Sequence, residues 1–427
     1  MSDRNRAFLT SLFDAAVNAA DPLHAMKPHL PAPPAGKTVV VGAGKGAAQL
    51  AQAFEALWQG PFEGVVVTRY GYGAACEKIR VLEAAHPVPD AAGLEAAAAL
   101  KRAVEGLGAD DLVVAFICGG GSSLLPDPPP GLDLADLQAL NAALLASGAP
   151  ISAMNAIRKR FSGINGGRLA ALAAPARVCS LIVSDVPGDA LGEVASGPTV
   201  PGRPSAQAVR DLIAGRGIDL PGRLTQHLAG QPEDAAPTDD GRSQAHLIAS
   251  AGLSLTAAAQ AARAQGVAPW ILSDAIEGEA RDVAQVHAAL ARHAQASGFP
   301  HPAPTVLLSG GETTVTLRHE GRGGRNSEFQ LALALALEET SDLCALAADT
   351  DGIDGSEDNA GAFVDGQTTT RMRMAGVDPL RYLQENNAYT AFEAIGDLFV
   401  TGPTGTNVND FRAILIGDVP ESVSGLT

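Results

Sequence analysis

Short β-branched runs alternate with longer alanine- and leucine-rich stretches along most of this chain, and this alternation restricts its fold more than any other feature. The longer stretches, such as 91–107, repeat apolar residues at helical spacing. Runs such as TVVVG (38–42) and LVVAFICG (112–119) are continuously apolar, as in strands that are buried on both faces. Because strands separated by helices pair in parallel, the pattern predicts an α/β protein.

The predicted elements follow from these two patterns. Strands are predicted in the first half at 38–42, 64–70, 79–84, 112–119 and 177–185. Helices are predicted at 46–58, 91–107, 134–146, 152–161 and around 168–173. In the second half, strands are predicted at 245–250, 268–273, 304–311, 313–318, 342–349 and 411–417. Ligands bind beyond the carboxyl ends of parallel strands, so the loops that follow strands are the candidate sites.

One polar segment divides the chain. Residues 231–243 (QPEDAAPTDDGRS) lack apolar periodicity and are rich in Pro, Asp, Gly and Ser, which is typical of a linker. A chain of 427 residues is also longer than one ordinary domain. We therefore predict an N-terminal domain over 1–230 and a second α/β domain over 244–427.

Charge and hydropathy exclude several classes of partner. A formal net charge of −17 disfavours sequence-independent binding to nucleic-acid phosphates. The apolar runs are far shorter than the roughly 20 residues of a membrane span, and charges interrupt the N-terminal apolar residues, unlike a signal peptide. The four cysteines form no CxxC pair. We expect a soluble, cytoplasmic protein without a disulfide framework or zinc site; the sequence leaves a homo-oligomer open.

The loop after the first strand, VVVGAGKGAA (39–48), fits the loose G-x-G-x-x-G/A pattern with Gly42, Gly44 and Ala47. The acidic residue expected after the next strand is replaced by Thr68 and Arg69, which weakens a nicotinamide interpretation. A Walker A loop also fails, because Lys45 is followed by glycine. A helix-entry turn with a solvated lysine is the alternative. The chain has only six lysines, none beyond residue 159, and this scarcity favours a function for Lys45.

The second loop, in FICGGGSSLL (116–125), combines three glycines with two hydroxyls: Gly119, Gly120, Gly121, Ser122 and Ser123. Consecutive glycines let backbone N–H groups approach an anion, which suits phosphate. Neither serine has a glycine two residues later, so a serine-hydrolase elbow is disfavoured. The alternative is a flexible turn.

The third loop, SDVPGDALGEVASGPTV (184–200), places Asp185 and Asp189 four residues apart around a Pro-Gly turn. Two carboxylates in one pocket can hold Mg²⁺ or accept a proton from a substrate hydroxyl. Aspartate as a helix cap or turn former is the alternative. His86 also follows a predicted strand and could face a ligand cleft, but a structural His-Pro turn is the favoured interpretation there.

Four further polar loops lie in the second half: SGGETT (309–314), GRGGRNSEF (321–329), ADTDGIDGSEDNAG (348–361) and TGPTGTNVND (401–410). Arg325 can hold a carboxylate or phosphate in a two-pronged grip, although an ordinary solvated charge is an equal alternative. The aspartate-rich loop fails the calcium pattern, because the fifth position from Asp349 is Ile353. The last loop offers uncharged hydroxyls and amides that suit a sugar, base or phosphate.

Together these segments resemble the glycerate 2-kinase family with a C-terminal MOFRL domain. The resemblance runs from about Ala7 to about Ile416 and rests on VVVGAGKGA, HPVPDAAG, CGGGSSLL, SDVPGDALGEVASGPTV, SGGETTV, GGRNSEFQLALAL, ADTDGIDGSEDNAGAFVD and TGPTGTNVNDF. It implies a Rossmann-like parallel sheet with flanking helices, a smaller α/β MOFRL-type domain, and an active site in the cleft between them. Members phosphorylate D-glycerate with ATP and Mg²⁺ to give 2-phosphoglycerate; related proteins have been labelled hydroxypyruvate reductases.

The resemblance also implies residue roles. Lys45 would stabilise the transferring phosphoryl group, and Arg325 across the cleft would bind the glycerate carboxylate or the γ-phosphate. Asp189 would accept or orient the proton of the 2-hydroxyl. The metal ligands would be Asp185 and Asp351. The nucleotide-binding residues would be Gly44, Gly119, Gly120, Gly121, Ser122, Ser123, Glu312, Asn326, Thr406 and Asn407.

Two departures from the family pattern stand out. RKRFSGINGG (158–167) has Arg160 and Asn165 where members often carry a histidine and a lysine, and ADTDGIDG (348–355) adds Asp349 beside Asp351. Two other functions remain open at this stage. One is a reductase that reduces hydroxypyruvate with NADH or NADPH, and the other is a nucleotide-sensing or carboxylate-binding protein without turnover.

Overall fold

The computed structural model describes residues 1–233 and 241–421. The chain forms two compact units: a first unit of Pro22–Ile248, and a second unit that combines Met1–Asp21 with the chain from Ala249 onward. Most of the linker predicted at 231–243 lies outside the described residues. Within the described ranges, no helix is both long and apolar enough to cross a bilayer.

The helices of the described residues are α1 (Asp3–Ala20), α2 (Pro22–Met26), α3 (Ala47–Leu57), α4 (Ala91–Val104), α5 (Gly121–Leu124), α6 (Leu134–Ala146), α7 (Ile151–Arg160), α8 (Arg168–Leu172), α9 (Ala206–Arg216), α10 (Gly222–Ala229), α11 (Ala251–Ala264), α12 (Ala280–Ser297), α13 (Arg325–Ala336), α14 (Thr368–Met374), α15 (Pro379–Gln384) and α16 (Ala388–Glu393). The strands are β1 (Thr38–Ala43), β2 (Glu63–Arg69), β3 (Ile79–Ala84), β4 (Leu112–Cys118), β5 (Arg177–Val183), β6 (Ser243–Ala249), β7 (Ala268–Ser273), β8 (Gly278–Glu279), β9 (Thr305–Gly311), β10 (Thr313–Thr314), β11 (Leu343–Asp349), β12 (Gly361–Asp365), β13 (Leu398–Phe399) and β14 (Asp410–Ile416).

The first unit is built on a six-stranded sheet in the order β3-β2-β1-β4-β5-β6. Strand β1 pairs in parallel with β2 and with β4, and the outer pairs β2–β3 and β4–β5 are also parallel. The chain crosses to the other half of the sheet after β3, so β1 and β4 flank the point where the strand order reverses. In sheets of this kind the loops after those two strands diverge and leave a crevice for ligands.

The second unit contains a mixed sheet in the order β13-β12-β11-β14-β9-β7. Only β7 and β9 pair in parallel; β14 runs antiparallel to β9 and β11, and β12 runs antiparallel to β11 and β13. The sequence predicted a second α/β domain without its strand directions. The loop between β11 and β12 is too short for a crossover helix and returns the chain antiparallel.

The N-terminal helix α1 belongs to the second unit. The predicted domain limits placed it in the first domain, over 1–230. Phe8, Leu12 and Phe13 of α1 are buried in a cluster with residues of α11, β9, β11 and β14. The Phe13 ring lies edge-on to Phe399 and Phe411, with centroids 5.0 and 5.9 Å apart. Strand β6 likewise joins the first sheet beside β5 rather than opening the second domain. Amphipathic periodicity identifies a buried face but does not identify the sheet that covers it.

Replacing Leu12 with alanine tests this assignment. Leu12 is fully buried, whereas Leu380 on α15 of the same unit is 53% exposed. We expect Leu12→Ala to lower the free energy of unfolding of the second unit by about 2–5 kcal/mol, from lost burial and the cavity left behind. Leu380→Ala should change it by no more than about 0.5 kcal/mol. Urea denaturation measures both, and equal values would contradict the packing of α1 on this unit.

Candidate functional site

Lys45 lies at the point where the first sheet reverses its strand order. Its backbone N–H donates to the carbonyl of Gly119 after β4 (2.9 Å), and its own carbonyl accepts from the Thr68 hydroxyl at the end of β2 (3.1 Å). Gly44 has φ +134°, and a Cβ there would come within 2.5 Å of the Cys118 carbonyl oxygen. Only glycine therefore fits between the loops that follow β1 and β4, and the lysine backbone is held from both sides.

The loops after β1, β3 and β5 converge on the glycines that follow β4. A Cβ on Gly119 would lie 1.8 Å from Oδ2 of Asp185, so that carboxylate rests against the Gly119 backbone. Gly120 has φ +80°, and a Cβ there would lie 3.0 Å from the His86 ring and 3.3 Å from Cγ of Lys45. The residues that follow β1, β3, β4 and β5 thus share one small region at the carboxyl edge of the sheet.

The two serines after these glycines are bonded to other protein groups. Ser196 donates to Oδ1 of Asn155 (3.3 Å), so its oxygen, 2.7 Å from the Ser122 hydroxyl, accepts the proton of Ser122. Ser123 donates to the carbonyl of Gly120 (3.1 Å). The sequence predicted that Ser122 or Ser123 adds a donor for phosphate. In the structure both hydroxyls donate to protein oxygens, and a role in binding phosphate stays a prediction.

A strained segment supports Ser122. Ala195 and Ser196 are both buried and have φ of 51° and 59°, a left-handed conformation that residues other than glycine rarely adopt. The side-chain amide of Asn155 donates to the carbonyl of Glu193 (3.1 Å), and Nζ of the buried Lys159 lies 2.6 Å from Oε1 of Glu193. Asparagine and lysine side chains of α7 therefore hold the loop after β5 in this conformation.

The charges around His86 keep its imidazole neutral. Burial, followed by the positive charges of Lys45 and Arg69, lowers the pKa of His86 to about 4. Burial, with a smaller contribution from the Asp185 carboxylate, raises the pKa of the Cys118 thiol, so this cysteine is a neutral group of the core. The region consequently combines one lysine, one neutral histidine and the Asp185 carboxylate.

Asp189, four residues after Asp185, is half-buried and has φ of 52°. Its backbone N–H donates to the carbonyl of Val186 (3.1 Å), which closes the tight turn that the Pro-Gly pair predicts. The two aspartates predicted to act together thus belong to one short loop at the carboxyl end of β5.

In the second unit, Arg325 at the start of α13 lies between carboxylates. Its Nε donates to Oδ1 of Asp410 (2.6 Å), and one terminal nitrogen donates to Oδ2 of Asp349 (2.5 Å). The other terminal nitrogen lies 3.5 Å from Oε1 of Glu312. Asp349 and Asp410 are direct partners in the β11–β14 register, so strand pairing itself puts both carboxylates before the guanidinium.

These contacts shift the pKa values in opposite directions. Burial raises the pKa of Asp349 well above its usual value, with Asp351 and Asp410 adding to the rise and Arg325 opposing it. Burial also disfavours the charge of Asp410, but Arg412 and Arg325 outweigh it and lower the pKa of this carboxyl group. Of the two carboxyl groups, Asp410 is therefore the one whose surroundings favour the charged form.

The other predicted nucleotide contacts of the second unit lie near this cluster in the chain. Asn326 is buried, and its side-chain amide donates to Oδ1 of Asp410 (2.9 Å). The Asn407 amide donates to Oδ2 of Asp351 (3.2 Å), which bridges two of the predicted loops. The Thr406 hydroxyl donates to the carbonyl of Ala20 at the end of α1 (3.0 Å).

A cavity of about 800 Å³ opens beside Arg325 in the second unit. Glu312 and Thr313 line it, together with Glu277 and Asn386, which the sequence did not identify. Its size falls in the range of ligand pockets. No motif marked Glu277 or Asn386, because each reaches the cavity from a segment distant in the chain.

A second cavity, of about 420 Å³, lies in the first unit and is lined by Lys101, Asp127 and Arg160, among others. Arg160, which departs from the family pattern, is buried and donates to the carbonyl of Pro232 (2.9 Å). Lys101 and Asp127 form an ion pair at 3.0 Å. The Arg160 guanidinium is therefore bonded to the protein backbone at this position.

Comparison with known proteins agrees with this organisation. A family model described as a domain of unknown function, DUF4147, matches residues 8–229, and the MOFRL family model matches residues 305–410. A protein of Agrobacterium vitis with a provisional hydroxypyruvate reductase name is 52% identical over 415 residues, covering 96% of this chain and 94% of that protein.

Kinases match over nearly the same length. The D-glycerate 2-kinase of Thermotoga maritima is 35% identical over 403 residues, covering 94% of this chain and 96% of that protein. A crystal structure of glycerate kinase from Thermotoga maritima has a TM-score of 0.88 and 33% identity, covering 97% of this chain and 100% of that chain. The fold predicted from the sequence, two α/β domains with a parallel sheet in the first, is confirmed.

Replacing Asp410 with asparagine tests the charge balance of the second unit. Arg412 is buried and bonded to this carboxylate, so the substitution leaves a guanidinium without its counter-charge. We expect the free energy of unfolding to fall by about 3–5 kcal/mol. Glu338→Gln, which breaks the more exposed ion pair with Arg373, should change it far less. Chemical denaturation followed by circular dichroism measures both; a small effect of Asp410→Asn would contradict this account.

Proposed function

The chain belongs to the glycerate 2-kinase family with a C-terminal MOFRL domain, and from that premise we propose that it transfers the γ-phosphoryl group of ATP to the 2-hydroxyl of D-glycerate. The products are 2-phosphoglycerate and ADP, and Mg²⁺ accompanies the nucleotide. The observation that carries the proposal is the position of Lys45 beside the glycine loop at the strand-order reversal. No carboxylate in the described part of the first unit forms an ion pair with it, so its charge can compensate an incoming phosphate.

Phosphoryl transfer requires alignment and compensation of negative charge rather than a covalent intermediate. In this proposal Lys45 compensates the charge of the transferring group, and the backbone N–H groups of 119–121 bind phosphate oxygens. Asp189 accepts or orients the proton of the 2-hydroxyl. Each role matches the chemistry of the group: a cation and amides for phosphate, and a carboxylate for a hydroxyl proton.

Arg325 serves in this proposal to bind the glycerate carboxylate or the γ-phosphate. Two of its three nitrogens already donate to Asp349 and Asp410. The third nitrogen, which lies 3.5 Å from Oε1 of Glu312, is in this proposal the one that donates to a ligand in the adjoining cavity. Arg325 therefore has both a structural and a binding role here.

In this proposal the magnesium ion is carried to the site by the nucleotide. Among the described residues, no group of three or more His, Cys, Asp or Glu side chains is arranged to hold a metal. Mg²⁺ in phosphoryl-transfer sites is commonly held by one or two carboxylates together with phosphate oxygens. In this proposal Asp185 and Asp351 are the carboxylate ligands. When bound, the ion offsets charge on the phosphate oxygens.

The reductase name of the Agrobacterium vitis relative makes reduction of hydroxypyruvate the alternative. The strand order suits a dinucleotide, but a nicotinamide site commonly carries an acidic residue at the end of β2 for the ribose. That position holds Thr68, which is buried and bonded to the Lys45 carbonyl. Phosphorus NMR of the product from D-glycerate and ATP tests the proposal. Oxidation of NADH or NADPH that depends on hydroxypyruvate, with no ADP released from D-glycerate and ATP, would support the reductase instead.

Lys45→Ala is the first test of the assigned roles. Loss of one preorganised cation at the transferring group should lower kcat by about 10²–10³. The matched control is Lys37→Ala, which removes an exposed lysine of the same unit and should leave kcat unchanged. ADP release coupled to NADH oxidation measures both. Near-normal turnover by folded Lys45→Ala would remove this residue from the site.

Arg325→Lys separates the binding role of this residue from its structural role. Lysine keeps a positive charge between Asp349 and Asp410 but lacks the planar fork. We expect the apparent KM for glycerate or for ATP to rise by about tenfold or more, equivalent to about 1.4 kcal/mol. Arg322→Lys is the control, since Arg322 is half exposed in the same loop. Unchanged saturation by both substrates would exclude a binding role.

A further inference from the structure

We propose that His86 contacts the substrate and determines acceptor specificity, by hydrogen bonding to the 3-hydroxyl of glycerate, the hydroxyl that does not react. The inference rests on the proposed function and extends it to one residue. The sequence alone favours a structural turn for this histidine.

Geometry carries the proposal. Nε2 and Cδ2 of the His86 ring each lie 3.0 Å from the place that a Cβ on Gly120 would occupy, and Cγ of Lys45 lies 3.3 Å from it. The imidazole therefore lies on the open face of Gly120, next to the side chain of Lys45. A group held by the glycine loop and by Lys45 is within reach of this ring.

The ring nitrogens are available to a ligand. Among the described residues, neither nitrogen of His86 hydrogen-bonds another protein group, and the residue is half-buried. By contrast, both nitrogens of the buried His287 are bonded, to the Val283 carbonyl and the Ser309 hydroxyl at 2.9 Å each. A histidine kept only for structure resembles His287 in having its nitrogens satisfied.

The charge of the ring selects its partner. Lys45 and Arg69 both face His86 and, with burial, keep the imidazole neutral at neutral pH. A neutral imidazole offers one donor and one acceptor, which suits an uncharged hydroxyl. Its low basicity makes it a poor base for the reacting hydroxyl. Glycerate has a carboxylate, a reacting 2-hydroxyl and a 3-hydroxyl; cations and carboxylates match the first two, and the third matches His86.

A hydrogen bond of this kind discriminates strongly. An acceptor that lacks the hydroxyl leaves the half-buried ring nitrogen without a partner while its water is displaced. D-lactate is the suitable probe, because it differs from D-glycerate only in having hydrogen in place of the 3-hydroxyl.

The experiment measures kcat/KM for phosphorylation of D-glycerate and of D-lactate by the wild type, His86→Ala, His86→Gln and the control His301→Ala. His301 is an exposed histidine of the second unit. If D-lactate is not turned over, its inhibition constant against D-glycerate replaces kcat/KM. We expect His86→Ala to lower kcat/KM for D-glycerate by about tenfold or more and to leave the D-lactate value within about threefold. His86→Gln, which keeps a donor, should recover part of the preference, and His301→Ala should match the wild type.

Each outcome is decisive. Equal losses for both acceptors in His86→Ala would indicate a structural role and overturn the inference, as would an unchanged preference. Absence of glycerate phosphorylation by the wild type would overturn the proposed function itself. Glycerate phosphorylation with an unaltered preference in the variants leaves the kinase function standing and removes only His86.

Discussion

The hydrogen bond from the Lys45 N–H to the Gly119 carbonyl is the contact on which the first site depends. It joins the loops after β1 and β4, the adjacent parallel strands between which the strand order reverses. The register of the two strands, with Ala43 opposite Ile117, brings those loops level. The absence of a side chain at Gly44 then lets the two backbones approach. Every other element of the site is positioned relative to this junction.

The loop after β5 adds a second constraint of a different kind. Left-handed conformations at Ala195 and Ser196 are unfavourable by about 1–2 kcal/mol each and persist because burial and the bonds of Asn155 hold them. Their effect is to commit the Ser122 hydroxyl to Ser196. A rigid loop whose hydroxyls are already bonded can present its backbone N–H groups without reorganising when an anion arrives, which is the condition for electrostatic catalysis.

The sequence predicted the features that depend on residues close together in the chain. Strands β1 to β5, the glycine turns and Lys45 followed from apolar runs and from the conformations that only glycine adopts. The patterns did not reveal that α1 covers the second sheet, nor that β12 (GAFVD) pairs with β11, because both depend on contacts between residues far apart in the chain. The position of His86 has the same origin: the His-Pro pair indicates a turn, while its proximity to Gly120 exists only in the folded sheet. The rule that pointed to Lys45, that functional residues follow strands, applied equally to His86.

The two cations singled out by the sequence are in opposite electrostatic situations. Arg325 bonds Asp349 and Asp410, which neighbouring strands bring together, and its remaining terminal nitrogen lies 3.5 Å from Glu312. Lys45 has no carboxylate paired with it in the described part of its unit, and burial, together with the Lys45 charge, lowers the pKa of the neighbouring His86 imidazole. An anion bound beside this lysine would gain from its unpaired charge. For this reason the proposed function assigns the transferring phosphoryl group to Lys45 rather than to Arg325.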